Sequence, residues 1–377
     1  MAREYFSKRT GWDLQGNALN QMLEELKSGG VDITDLTETN PTKCGFIYPP
    51  EILSSLSLAR NLVYAPDPRG MSVAREAVGV FRGFDAGRIL LTASTSESYM
   101  FLFRLLLDPG DKVLIPRPSY PLFEFLLELN DASFTHYPLV YREGAWSMDF
   151  KTLESLIDAK TKAIIVVNPN NPTGSYIKED ELRTLNVFCR AHALTTISDE
   201  VFFDYRLTQG PFVSFKGNAD VLTFVLEGLS KSVGLPQMKV GWILANGPGQ
   251  MVDEALNRLE IIADTYLSVN TPAQNALGPW LSHAKDLQGQ ILERVKTNWA
   301  CLRACGIDVL TVEGGWCAVV RREVMDEEGF VLNLLREHHV MVHPGYFFNF
   351  EQSGYFVVSL LPKPEQFVKI IRFLGGV

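Results

Sequence analysis

The sequence predicts an α/β protein: a mainly parallel sheet with helices on both faces, followed by a smaller α+β part. Short β-rich apolar runs alternate with helical stretches from about residue 89 onward, which implies parallel strands joined by helical crossovers. The alternation stops in the C-terminal third, where one long helical stretch leads into a few short strand-like runs. With 377 residues, 46% of them apolar and 21% charged, the chain is long enough for two domains and has an ordinary globular composition.

The elements follow in order. "RILLTA" (88–93) reads as a strand, and "SESYMFLFRLLL" (96–107) as a helix with a Ser start and a Pro-Gly stop. "KVLIP" is a strand ending at Pro116, followed by an apolar helical stretch over 122–129. "KAIIVVN" (162–168), a helix over about 179–192, "TTISD" (195–199) and "VLTFVLE" (221–227) continue the alternation. A long helix over about 284–305, then "EGGWCAVV", a further helix, "VMVHPG" and "YFVVSLL" form the smaller part, which the N-terminal segment is expected to join. The boundaries drawn from this order are 46–284 for the large domain, and 1–45 with 285–377 for the small one.

Several function classes drop out. The net charge of −9, from 44 acidic and 35 basic residues, offers no basic field to a nucleic acid. The N-terminus "MAREYFSKRTGWDLQG" has no apolar core of signal type, and no run of about 18 apolar residues exists to span a membrane, so a cytoplasmic protein is expected. Five cysteines, an odd number without metal-type pairs, are expected to be buried thiols, and the six histidines lack metal spacing. Neither a G-x-G-x-x-G after the first clear strand nor a G-x-x-x-x-G-K-[ST] is present.

In open parallel sheets, ligands sit beyond the carboxyl ends of the strands. Thr95, Ser96, Asn171, Asp199 and Lys231 all follow strand-like runs closely. A lysine of lowered pKa beside a carboxylate and an asparagine can hold a carbonyl cofactor by forming a Schiff base. Asp199 fits two readings, a helix N-cap or a carboxylate facing a pyridinium nitrogen. The stretch "VVNPNNPTGSYI" is likewise open, as a plain turn or as a cradle.

"NNPTG", "SDEVF" and "LSKSVGLPQMKVGW", in this order and spacing, with "YAPDPRG" and "PRPSYP" upstream, resemble the class I/II aminotransferases. The resemblance runs from about Asp35 to the C-terminus. It implies pyridoxal 5'-phosphate as cofactor and fold type I, an aspartate-aminotransferase-like three-layer large domain with a mainly parallel seven-stranded sheet. It also implies a homodimer that moves an amino group from an amino acid or amine donor to a carbonyl acceptor. By position, Lys231 resembles the Schiff-base lysine and Asp199 the partner of the pyridinium nitrogen. Asn171 would bond the ring oxygen and Tyr120 would stack on the ring. Ser94, Thr95 and Ser96 resemble the phosphate-binding turn, and Lys239 stands at a phosphate-contact position usually held by arginine. Tyr64 resembles a residue that reaches the phosphate across the dimer interface.

The sequence also departs from the family. Phe202 stands where a tyrosine normally donates to the ring oxygen, and Gly228 replaces a serine that often contacts phosphate, with Ser230 or Ser232 as substitutes. Val357 aligns with the arginine that usually clamps an α-carboxylate; Arg69, Arg117, Arg206 and Lys43 are candidates to replace it. Two other readings remain: a carbon–sulfur β-lyase of the same superfamily, and a non-enzymatic domain that senses a ligand.

Overall fold

The computed structural model describes residues 5–375. The N-terminal segment contributes β1 (Thr34–Asp35). The main sheet is built from β2 (Ile89–Thr92), β3 (Lys112–Arg117), β4 (Ser133–Arg142), β5 (Ala145–Met148), β6 (Thr161–Val167), β7 (Thr195–Asp199), β8 (Thr223–Gly228) and β9 (Gly241–Asn246). The C-terminal third adds β10 (Cys317–Arg321), β11 (Val340–Met341), β12 (His343–Pro344) and β13 (Tyr355–Ser359).

The main sheet has the order β2-β9-β8-β7-β6-β3-β4-β5. Seven strands were expected and eight are present, because β5 forms an antiparallel hairpin on β4 from Leu139↔Met148 to Arg142↔Ala145. The pairs β3–β4, β3–β6, β6–β7 and β7–β8 are parallel, while β9 runs antiparallel to both β2 and β8. Hence β2, β3, β6, β7 and β8 all end at one edge of the sheet.

Both faces are covered, and the strand period shows how. Ile89, Leu91, Leu114, Ile164, Val166, Val225 and Leu244 face one core, while Leu90, Val113, Ile115, Ile165, Val167, Phe224 and Ile243 face the other. The first core receives helices Ser72–Arg82, Glu179–His192 and Thr271–Ser282 through residues such as Val78, Leu185 and Trp280. The second receives Thr95–Leu106, Leu122–Glu128 and Gly249–Asp264 through Phe103, Phe123 and Leu259.

A third core joins Leu19 and Leu36 from the N-terminal segment to Val295 and Leu302 of helix Ala284–Ala304, and to Trp316, Phe356 and Val358. There β10, β13 and β12 make an antiparallel sheet, and β1 pairs in parallel with β11. The cysteine expectation needs correction. Cys44, Cys189 and Cys317 are buried, but Cys301 is half-buried and Cys305 is exposed near the C-terminal end of the long helix, where its face meets solvent. No helix among the described residues is long and apolar enough to cross a membrane.

Candidate active site

A cavity of about 320 Å³ opens at the edge where the parallel strands end. Its walls include Ser94, Thr95 and Ser96 after β2, Tyr120 after β3, Asn171 after β6, Asp199 at the end of β7, and Lys231 and Lys239 after β8. Parallel direction is what brings together residues up to 145 positions apart in sequence. Of the nine residues singled out from the sequence, only Tyr64 lies outside; it is 78% exposed beside a separate surface cleft.

Each wall has a local cause. Ser94 is the N-cap of helix Thr95–Leu106, its hydroxyl accepting from the Glu97 backbone N–H, while Glu97 Oε2 accepts from Ala93 N at 2.7 Å. This reciprocal cap starts the helix at Thr95, one residue earlier than expected, and aims its N-terminus at the cavity. Gly241 lets β9 pass beneath: a Cβ there would stand 3.0 Å from Thr92 Oγ1 and 3.1 Å from Thr95 N.

Asp199 lines the cavity and caps a turn over residues 201–204, where a helix N-cap was one expectation. Its Oδ1 accepts from Val201 N at 3.2 Å, and its Oδ2 from the Tyr99 hydroxyl at 3.0 Å. Burial nevertheless pushes its carboxyl up to about 6, against those hydrogen bonds and nearby Lys231. Lys231 lies in the short helix Leu229–Ser232, its Nζ 5.4 Å from the centre of the Phe202 ring and 4.9 Å from that of Trp316. Burial holds its ammonium below the ordinary range, with Cys317, Asp199 and Glu38 opposing. Such a lysine is closer to the neutral amine needed for bonding to carbon.

The asparagines divide. Asn168 bonds Ile177 N, Glu200 and the Val213 carbonyl; Asn170 bonds Thr173, Ser119 and the Pro118 carbonyl. Asn171 alone of the three lines the cavity. Lys239 is exposed, at a left-handed φ of 53°.

A sequence profile of the family described as "Aminotransferase class I and II" matches residues 49–370. The chain belongs to that family. It is 29% identical to an alanine aminotransferase of Mycobacterium tuberculosis, over 95% of this chain and 88% of that one. It is also 29% identical to a glutamate-pyruvate aminotransferase of Haemophilus influenzae, over 97% and 96%. A crystal structure of an aminotransferase from Escherichia coli superposes with a TM-score of 0.86 at 25% identity, over 100% of this chain and 99% of that one. The fold is therefore aspartate-aminotransferase-like fold type I, and the protein is an enzyme that transfers amino groups.

Three departures of this aminotransferase now have surroundings. Phe202 lines the cavity and packs edge-on against Trp316 at 5.2 Å, so an apolar wall replaces a hydroxyl donor. A Cβ on Gly228 would meet the Val240 carbonyl at 3.0 Å; Ser230 lines the cavity, whereas the Ser232 hydroxyl is taken by Arg82. Val357 is buried in an apolar cluster with Cys317 and Phe348. None of its four candidate replacements lines the cavity. Arg117 pairs with Glu351 and the Asn349 carbonyl, Lys43 with Glu38, and Arg69 with the Gly87 carbonyl, while Arg206 lies over the Tyr176, Phe203 and Phe212 rings.

Sequence reasoning missed Tyr99, Thr39, Phe123 and Cys317. Tyr99 was findable, because it stands four positions after Thr95 on one helix face. Thr39 comes from a distant segment and carried no local signal.

Proposed function

We propose that the cavity binds pyridoxal 5'-phosphate and that Lys231 bonds covalently to its aldehyde carbon. The donor set supports this reading: a desolvated amine, a carboxylate, an aromatic ring, and a helix N-terminus with hydroxyls and a second ammonium. Ser94, Thr95, Ser96 and Lys239 would hold the phosphate, Asn171 the ring oxygen, Tyr120 the ring face and Asp199 the ring nitrogen. When bound, the group supplies an electron sink for the charge left when a substrate C–H bond gives up its proton.

The chain's own residues supply the rest. Lys231 Nζ, as a free amine, would take a proton from the substrate carbon and deliver it to the cofactor's C4′, across the nitrogen that joins the two carbons. Its lowered pKa serves that task, since an amine held fully protonated cannot accept. Asp199, fixed by Tyr99 and Val201, would keep the ring nitrogen protonated. Phe202, Phe123 and Val167 exclude water from the same wall. Tyr64 would complete the site of a second copy in a homodimer, and its exposure leaves it free to do so.

The observation that carries this reading is the convergence of Lys231, Asp199, Asn171 and Tyr120 on one cavity. The test is a single turnover of holoenzyme with an amino donor. Conversion of the bound group to pyridoxamine 5'-phosphate, lost in Lys231→Ala, is expected. Release of pyruvate and ammonia from a cysteine-type donor without that conversion would assign the chain to lyase chemistry instead.

A further inference from the structure

Behind the lysine turn lies a buried charged cluster that has no part in the cofactor contacts above. Arg82 ends helix Ser72–Arg82, and its side chain is only 9% exposed. Its Nε donates to Glu227 Oε2 at 2.6 Å, and Nη1 and Nη2 donate to the two oxygens of Asp204 at 2.9 and 3.0 Å. Nη2 also donates to Ser232 Oγ at 2.9 Å. Gln288, from helix Ala284–Ala304, donates to Asp204 Oδ2 at 3.0 Å and to the Ser232 carbonyl at 2.8 Å. The Tyr205 hydroxyl donates to the Lys231 carbonyl at 2.6 Å.

Three donors from three separate segments thus end on residues 231 and 232. Lys231 Nζ, by contrast, meets ring faces at 4.9 and 5.4 Å, contacts that attract without fixing a direction. The direction of the amine therefore depends on where its backbone is held, and this cluster anchors that backbone from outside the turn, beside main-chain bonds such as Leu229 N to the Val240 carbonyl. An apolar plug of the same volume would often be as stable or more so, because burying one guanidinium and two carboxylates costs desolvation. What a plug would lack is the planar fork, which fixes angles as well as distances.

We propose that Arg82, Asp204 and Gln288, acting through Ser232, are positioning residues that aim Lys231 into the cavity. The proposal rests on the reading that Lys231 bonds the cofactor's aldehyde carbon.

The test compares two ligands on the full chain stripped of cofactor: pyridoxal 5'-phosphate, whose aldehyde carbon the Lys231 amine bonds with loss of water, and pyridoxamine 5'-phosphate, which has no aldehyde. Covalent capture is followed by borohydride reduction and peptide mass, and pyridoxamine 5'-phosphate affinity by calorimetry. In Ser232→Ala combined with Gln288→Met, capture at Lys231 should slow about 10-fold or more, as misplacement of a reacting group does, with pyridoxamine 5'-phosphate affinity unchanged. Capture at the wild-type rate overturns the proposal, and so does an equal loss for both ligands, which marks a merely structural role. Arg82→Met is expected to behave likewise; should it fail to fold, the other two substitutions decide. A wild-type chain that captures nothing at Lys231 brings down the cofactor reading itself.

Discussion

Glu200 follows Asp199 directly and is 1% exposed, and no salt bridge reaches it among the described residues. Its Oε1 accepts from Phe215 N at 2.7 Å, Ser198 Oγ at 3.1 Å and Asn168 Nδ2 at 3.3 Å, and its Oε2 accepts from the Ser214 hydroxyl. Burial outweighs these bonds and pushes its carboxyl from 4.5 up to about 7. At about 1.4 kcal/mol per pKa unit, that is on the order of 3 kcal/mol against the folded state once the group is ionised. The folded chain keeps a proton that the unfolded chain has released between pH 4.5 and about 7. Stability therefore falls as pH rises through that window and levels off above it. Glu200→Gln removes the ionisation and keeps the Oε1 acceptor, while Ser214 can accept from the new amide. Urea unfolding across the window should find the variant equal to wild type at the acid end and more stable by up to about 3 kcal/mol above pH 7. Asp199, also raised, titrates in both proteins, so the difference between the curves isolates Glu200. A gap that does not change with pH, or a variant weaker than wild type above pH 7, would refute the reasoning.

Three other outcomes are expected. Phe202→Tyr adds the missing donor and should lower the pH midpoint of the holoenzyme's visible absorbance by about 0.5 to 1 unit, the worth of one net hydrogen bond; an unchanged or raised midpoint counts against a ring oxygen near residue 202. In an absorbance screen, amines without an α-carboxylate should discharge the holoenzyme band more readily than α-amino acids, because Val357 offers a carboxylate only an apolar cluster. A strong response to alanine refutes that reading. Alkylation with peptide mapping should label Cys305 well before Cys44, Cys189 and Cys317, which are buried and whose thiols burial pushes up to about 11, about 11 and about 12; labelling of Cys317 as early as Cys305 would mean that the cavity is wider in solution.

What the sequence revealed follows from where the signals are local. Helix Glu179–His192 and strand Thr195–Asp199 stand where their periodicity put them. The β4–β5 hairpin escaped notice because β4 contains Pro138, is only partly buried, and lacks both a clean alternation and a continuous apolar run. β9 is a short buried run just after the lysine turn, and nothing in "GWILAN" announces its antiparallel direction. The site was readable because strand ends are positions in sequence as well as in space. The cluster behind Lys231 was not, because Arg82, Asp204, Glu227 and Gln288 come from four separate segments, and each alone resembles an ordinary surface charge or amide.

The turn after β6 separates these two kinds of information within a few residues. Gly174 adopts φ 73°, and a Cβ there would stand 2.5 Å from the Gly314 carbonyl, so "NNPTG" docks the turn against the segment that leads into β10. Asn168 and Asn170 hold that turn from inside, and substituting either with alanine leaves buried partners unmet, at about 1–3 kcal/mol each. Asn171 lines the cavity, and with Phe202 unable to donate, its amide is the donor proposed for the cofactor's ring oxygen. Asn171→Ala should therefore alter the holoenzyme's absorbance with little change in melting temperature, while Asn170→Ala should lower the melting temperature first. If the two variants exchanged those effects, the division of labour drawn from the hydrogen bonds would be wrong, and Asn170 would be the cofactor's partner.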